Sequence, residues 1–132
     1  MITEDYVSFE TAQLLKEKGF NEECFALYNP DGMLIQSGIR LNNIQVGRVE
    51  GSYSAPTLQM AMKWLRKEHN LVIKVELIDY LEHGEVWLYS VFERKTIKRL
   101  TGKGEDFTEH SYEEACDAAV KYCLENFVQC SK

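Results

Sequence analysis

The sequence predicts an α+β fold in which helices pack on an antiparallel sheet built from hairpins. Two pairs of short apolar segments are each joined by a turn sequence, which is typical of β-hairpins. A helical pattern precedes each pair and a further one closes the chain, so the expected element order is α-β-β-α-β-β-(β)-α. Hairpins that alternate with helices favour α+β over a doubly wound parallel sheet.

The size and composition fit one domain. Of the 132 residues, 45% are hydrophobic and 27% are charged. This is ordinary for a globular chain that buries a core without disulfides. We therefore treat residues 1–132 as a single domain, with an αββ subunit at 1–50 and an αβββα subunit at 53–128 as a division within it.

The first helix and the first hairpin carry clear local signals. Ser8 is a favourable N-cap, and Gly19 suits the left-handed position that ends a helix. The hairpin is predicted from residues 23–28 and 33–37, which flank Asn-Pro-Asp-Gly at 29–32. Proline presets φ and glycine accepts a positive φ, so we expect a type I turn with a bulge.

The second helix is expected to start at Ser54 and to run to about His69. Residues 38–52 before it are irregular, and their alternating apolar residues allow a short strand. Met60 and Trp64 widen the apolar arc of the helix beyond the stripe that a surface helix needs. This helix therefore presents more apolar surface than one sheet face covers.

The second hairpin is predicted from residues 73–77, a turn at 83–84 and a return strand at 86–92. The return strand is apolar or aromatic on both faces, which is typical of a central strand. Residues 95–100 are expected to add a more polar strand, followed by a turn or loop at 102–104.

The last helix begins after Ser111, which forms a capping box with Glu114. Small residues on its inner face permit a close approach to a sheet. The predicted core joins this helix to the second helix and the second hairpin, and its members are Leu58, Ala61, Leu65, Ile73, Val75, Leu77, Leu88, Ala119 and Cys123.

The cysteines are interpreted as buried, reduced side chains. Cys116, Cys123 and Cys130 are spaced seven apart and would form one stripe on a helix, whereas Cys24 stands alone. No Cys-x-x-Cys pair occurs, so zinc is not favoured, and we expect no metal and no cofactor. Cys130, near the chain end, is expected to react first with a thiol reagent.

The chain is expected to be a cytoplasmic protein. Its acidic N-terminus lacks the basic and apolar regions of a signal peptide, and no apolar run reaches membrane-spanning length. The net charge of -6 and the pI of about 5.1 disfavour non-specific binding to nucleic acids and anionic membranes.

Residues 53–66, with the sequence YSAPTLQMAMKWLR, resemble a recurring motif of small uncharacterised proteins of gut bacteria and their prophages. Residues 11–20 (TAQLLKEKGF) and 111–115 (SYEEA) resemble segments of the same group. Residues 54–127 are also similar in outline to a phage-encoded α-β-α sandwich domain. The resemblance implies an origin and an outline; it implies no activity and no catalytic residue.

The sequence contains no recognisable catalytic motif. It lacks the nucleophile elbow and the dinucleotide fingerprint, and the pair Gly102-Lys103 lacks the other residues of a phosphate loop. The histidines at 69, 83 and 110 are scattered, and the paired carboxylates adjoin helix ends or loops, where acids are common. We therefore do not expect an enzyme.

A basic run provides one candidate binding site. It would contact the phosphate backbone of nucleic acid, with Trp87 and Tyr89 stacking on bases. The alternative is a solvated edge strand, in which lysines discourage pairing. The residues of the run are Arg94, Lys95, Lys98, Arg99 and Lys103.

An apolar surface provides the second candidate site. Met60 and Trp64 on the second helix, and Trp87 and Tyr89 on the return strand, are predicted to form an interface. Either residues 38–52 cover Met60 and Trp64, or a second chain does so in a homodimer. The sequence thus predicts a non-enzymatic accessory or protein-interaction protein of prophage or mobile-element origin, with an unknown partner. The alternative is a small nucleic-acid-binding protein that uses residues 94–103.

Overall fold

The computed structural model describes residues 2–79, 84–101 and 108–129 of the chain. Four features of the sequence analysis lie outside the described residues: the turn residue His83, the loop at 102–104, the candidate contact Lys103 and the thiol of Cys130.

The described residues form four helices and two three-stranded antiparallel sheets, which confirms the α+β class. The elements in chain order are α1 (Phe9–Glu17), β1 (Cys24–Tyr28), β2 (Leu34–Leu41), α2 (Asn43–Val46), β3 (Tyr53–Ser54), α3 (Leu58–His69), β4 (Leu71–Asp79), β5 (Glu85–Glu93), β6 (Thr108–Glu109) and α4 (Tyr112–Asn126). The two hairpins lie in different sheets, whose strand orders are β2-β1-β3 and β4-β5-β6. None of the helices in the described ranges has the length and hydropathy of a membrane span.

Both ends of α1 are capped as predicted. The Oγ of Ser8 accepts a hydrogen bond from the N–H of Thr11 at 3.3 Å. At the other end Gly19 has φ of 96°, and the N–H of Phe20 donates to the carbonyl of Leu15 at 2.8 Å. This is a Schellman ending, which folds Phe20 back on the last turn.

The turn of the first hairpin also has the predicted geometry. The N–H of Gly32 donates to the carbonyl of Asn29 at 2.9 Å, and Gly32 has φ of +79°. The Asn29 side-chain oxygen accepts from the N–H groups of Asp31 and Met33 at 3.0 and 2.9 Å. These bonds confirm a type I turn followed by a left-handed glycine.

The second long helix, α3, begins later than predicted. Its N-cap is Thr57, whose hydroxyl oxygen accepts from the N–H of Met60 at 3.2 Å. Ser54, the predicted cap, lies in β3 and pairs with Leu27 of β1. The prediction was wrong because β1 pairs with the backbone of Ser54 and Ala55, and Pro56 is compatible with the extended conformation that this pairing needs.

Residues 38–52 combine several short elements. β2 extends to Leu41, and α2 follows with a complete capping box between Asn42 and Gln45. Asn43 is buried; its amide N–H donates to the carbonyl of Phe20 at 2.7 Å, and its oxygen accepts from the N–H of Ser54 at 2.8 Å. This side chain therefore ties α2 to both the end of α1 and the start of β3.

β5 is the central strand of its sheet, as predicted, but residues 95–100 do not form a strand. The carbonyl of Glu93 accepts from the N–H of Ile97 at 2.9 Å, and the N–H of Glu93 donates to the carbonyl of Lys98 at 2.8 Å. The chain thus reverses in a tight turn, and only Arg99 bridges back to Phe92. The Glu93 carboxylate fixes the turn because it accepts from the N–H groups just after it.

The core lies between the β4–β5 sheet and helices α3 and α4, and one buried cluster extends from Val7 to Val128. Three predicted core residues are corrected. The side chains of β4 become more exposed from its start towards its end, so Val75 is half-buried and Leu77 is 58% exposed. Leu88 is half-buried because it alternates with Tyr89 and faces away from the helices.

We predict that Leu65→Ala lowers the free energy of unfolding by about 2–5 kcal/mol, because Leu65 is fully buried and truncation leaves a cavity. Urea denaturation followed by circular dichroism measures the change. Leu77→Ala is the matched control and should cost below about 0.5 kcal/mol, since that leucine is mostly exposed. Equal losses in the two variants would contradict this description of the core.

Candidate functional site

Trp64, a predicted interface residue, is covered by its own chain. It is 8% exposed and meets the ring of Phe20 edge-on at 5.3 Å and that of His69 at 4.7 Å. The cover comes from Phe20 at the Schellman ending of α1, and neither residues 38–52 nor a second chain is needed. Trp64 is therefore removed from the predicted interface, whereas Met60 is half-buried beside it.

Tyr89 and Trp87 also face inwards. Tyr89 is 5% exposed in the core cluster, and Trp87 is half-buried against Tyr112 with ring centroids 5.6 Å apart. The described residues supply no hydrogen-bond partner for the Trp87 indole N–H. Tyr89 is too deeply buried to stack on a nucleic-acid base, so that part of the nucleic-acid hypothesis is corrected, whereas Trp87 keeps part of its surface exposed.

One cleft is acidic and has a volume of about 480 Å³. Its carboxylates are partly engaged: the Asp117 oxygens accept from the N–H and hydroxyl of Ser8 at 2.8 and 2.9 Å, and Glu10 pairs with Lys121 at 2.8 Å. That pairing holds the pKa of Glu10 below its ordinary value. Among the described residues, no three His, Cys, Asp or Glu side chains are placed so that together they could hold a metal ion. The acids of the cleft are Asp5, Glu10, Glu109, Glu113, Glu114 and Asp117.

The outer face of the first hairpin exposes apolar side chains. Leu27 lies directly opposite Ile35, and alternation places Phe25 and Met33 on the same face. Cys24 and Ala26, on the other face, are buried. Phe25 and Met33 are 50% and 64% exposed. We call Phe25, Leu27, Met33 and Ile35 the outer hairpin surface.

The four side chains of this surface carry no charge, and charged residues are sparse along the hairpin. No charged residue occurs from Cys24 to Pro30 or from Gly32 to Ile39. The first charge after β2 begins is Arg40, whose guanidinium lies 5.2 Å from the centre of the Phe25 ring. The pattern of exposed apolar residues in this hairpin is visible in the sequence, but which face α1 covers depends on tertiary packing.

The basic run lies on the turn after β5 and is joined there by the end of α3. Arg94 donates from its N–H to the carbonyl of Asn70 at 2.8 Å and from its guanidinium to the carbonyl of Arg66 at 3.4 Å. This contact brings Arg66, in the last turn of α3, to the run. We call the combined set the basic patch: Arg66, Arg94, Lys95, Lys98 and Arg99.

Ile97, in the middle of the basic patch, has an uncommon conformation. Its φ is 59°, which is a genuine outlier for a β-branched residue, and its side chain is 77% exposed. Such a conformation costs on the order of 1–3 kcal/mol and no burial of the side chain compensates it. Sequence reasoning missed both Ile97 and the contribution of α3, because neither is signalled by local pattern.

The described thiols are buried among apolar side chains. Burial raises the pKa of Cys24 and of Cys123 to about 12, and it also raises the pKa of Cys116. Thiols with raised pKa values carry little thiolate at neutral pH and are poor nucleophiles. Their role in this chain is packing.

Comparison of the chain with protein-family models, with curated proteins and with solved structures finds no match.

We predict that Cys24, Cys116 and Cys123 resist a thiol reagent at about pH 8 in the folded protein, because burial suppresses their thiolate forms. Mass spectrometry of peptides after timed labelling identifies each site. The control is the same labelling in denaturant, where all of them should react. Native labelling of Cys123 at the rate of a free thiol would contradict the buried stripe.

We predict that His69 titrates below 6.5, because burial against Trp64 disfavours its charged form and lowers its pKa, an effect that Glu68 opposes. The folded state then binds this proton more weakly than the unfolded state, so stability is lost as pH falls through the folded pKa. NMR titration of the ring protons measures the midpoint. In denaturant the midpoint should return to about 6.5; a folded midpoint above that value would refute the prediction.

Proposed function

We propose that the protein is a non-enzymatic protein-interaction protein that forms a symmetric homodimer through the outer hairpin surface. The observation that carries the proposal is the apolar face of the β1–β2 hairpin, which is exposed in the single chain and whose four defining side chains carry no charge. Contiguous apolar patches on soluble proteins mark interaction sites, whereas scattered apolar residues do not.

The contact is expected to use the face of this hairpin and not the edge of β2. The pairing between β1 and β2 is irregular between Cys24 and Ala26, and Gly38 has φ of +75°. A bulge of this kind bends an edge strand and discourages pairing with another chain. The apolar face has no such protection.

A second copy is the occupant that fits the charge distribution. Each chain carries a net charge of -6, so two copies repel over most of their surfaces. The four apolar side chains of the outer hairpin surface oppose no like charges when two copies meet there. A two-fold axis through it places the apolar patch of one copy against the same patch of the other, which is the usual arrangement of a dimer. Because only four apolar side chains per copy form the centre, the dimer is expected to be weak.

We predict that the chain associates to dimers between about 10 µM and 1 mM, and that Ile35→Lys weakens dimerisation at least about tenfold. The substitution places one lysine from each copy in an apolar contact, where neither charge is compensated. Sedimentation equilibrium measures the mass of each variant over this range.

Two further variants make the test specific. Met33→Lys should act like Ile35→Lys, and its exposed position leaves the hairpin fold intact. Val49→Lys is the matched control, since Val49 is similarly exposed but lies outside the outer hairpin surface. A parent chain that stays monomeric at about 1 mM, or equal weakening by Val49→Lys, would refute the proposed dimer.

A further inference from the structure

The turn that carries Ile97 is held in place by hydrogen bonds and not by packing. The Glu93 carboxylate accepts from the N–H of Lys95 at 3.1 Å and from the N–H and hydroxyl of Thr96 at 2.7 Å each. With the backbone bonds between Glu93 and residues 97 and 98, these contacts fix a short, stiff tip. The tip presents an apolar side chain to solvent in a backbone conformation that glycine would adopt more easily.

The turn around this side chain is rich in cations. Arg94, Lys95, Lys98 and Arg99 lie within three residues of Ile97, and the carboxylate of Glu93 is engaged in the turn. Because the whole chain is acidic, this local excess is opposite in sign to the rest of the protein. A strained, exposed apolar residue inside a cationic patch has no role in the core, so a role in binding is the remaining physical explanation.

We propose that the basic patch binds duplex DNA, with its cations on the phosphate backbone and Ile97 inserted as a wedge into the minor groove. Lysine and arginine clusters of this kind contact phosphates, and single apolar side chains at tips enter the minor groove between base pairs. This inference rests on residues different from those of the proposed dimer and stands independently of it.

Duplex DNA is favoured over two other polyanions. Single-stranded binding needs aromatic stacking platforms, and Trp87 and Tyr89 are turned towards the helices. An anionic membrane would need a larger apolar anchor, since one aliphatic side chain supplies little partitioning free energy. A wedge requires only one such side chain.

The charge distribution also orients the molecule. Two clefts that contain carboxylates lie beside Leu58 at the first turn of α3, whereas the basic patch includes Arg66 in the last turn of this helix. The two ends are separated by 12 residues of helix, about 18 Å. Repulsion of the acidic end from phosphates therefore directs the basic patch towards DNA.

The test is fluorescence anisotropy of a labelled duplex, about 20 base pairs long, titrated with the full chain from 50 to 200 mM salt. Contacts to about four or five phosphates predict a slope of log affinity against log salt of about -4 to -5. Lys98→Glu should weaken binding about tenfold at low salt and reduce the slope by about 1 or more. Ile97→Gly should weaken binding about fivefold with the slope unchanged, and it should raise the thermal midpoint because glycine accepts the positive φ.

Arg48→Glu is the matched control, because it makes the same charge change at an exposed position outside the basic patch. It should weaken binding less than about threefold. The same titration with a single strand of equal length and with vesicles of phosphatidylcholine and phosphatidylserine separates the alternatives. Equal effects of Lys98→Glu and Arg48→Glu, full binding by Ile97→Gly, or tighter binding to the single strand or the vesicles would each overturn the proposal.

Discussion

The fold depends on how closely α4 approaches the elements around it. α4 contacts β4, β5, α1 and α3, and its buried face carries the small side chains of Ala115, Cys116, Ala119 and Cys123. Small side chains bring the helix axis near the sheet, so close-packed contacts form along its length. The carboxylate of Asp117 on the same helix accepts hydrogen bonds from the cap of α1 more than 100 residues away in sequence. α4 therefore holds the first helix, and the sheet beside it, against the C-terminal core.

This arrangement covers each sheet on one side. α3 and α4 occupy one face of the β4–β5 sheet, and Phe9 of α1 meets Tyr28 and Tyr53 on the inner face of the first sheet. The described helices leave the outer face of the first hairpin without a cover: β1 alternates between buried and exposed side chains at Cys24, Phe25 and Ala26, whereas the residues of β2 are exposed or half-buried on both faces. In most antiparallel sheets the exposed side is polar. Here it is apolar, and this departure from the expected pattern motivates the proposed interface.

Local chemistry decides what was predictable from the sequence. The caps at Ser8 and Gly19 and the turn at 29–32 were predicted because each depends on neighbours within a few residues. The start of α3 was not, since β1 competes for the backbone of Ser54 through long-range pairing. Burial of Trp64 likewise depends on Phe20, which the end of α1 delivers from another part of the chain. The basic run was recognised in the sequence, but its contact with the end of α3 depends on the fold. A positive φ at Ile97 also has no sequence signature.

Helix electrostatics connects local stability with the proposed surfaces. Acids occupy the first turns of α1 and α4, and cations occupy the last turn of α3, where each is stabilised by the helix dipole. Along α3 the two kinds of charge are separated, with acidic clefts beside its first turn and cations in its last turn. The outer hairpin surface belongs to neither region. A two-fold dimer formed there would leave both copies of the basic patch free, and two linked patches raise the effective concentration of the second on DNA. The outer hairpin surface and the basic patch share no residue. Dimerisation would therefore strengthen DNA binding without altering any contact that the basic patch makes.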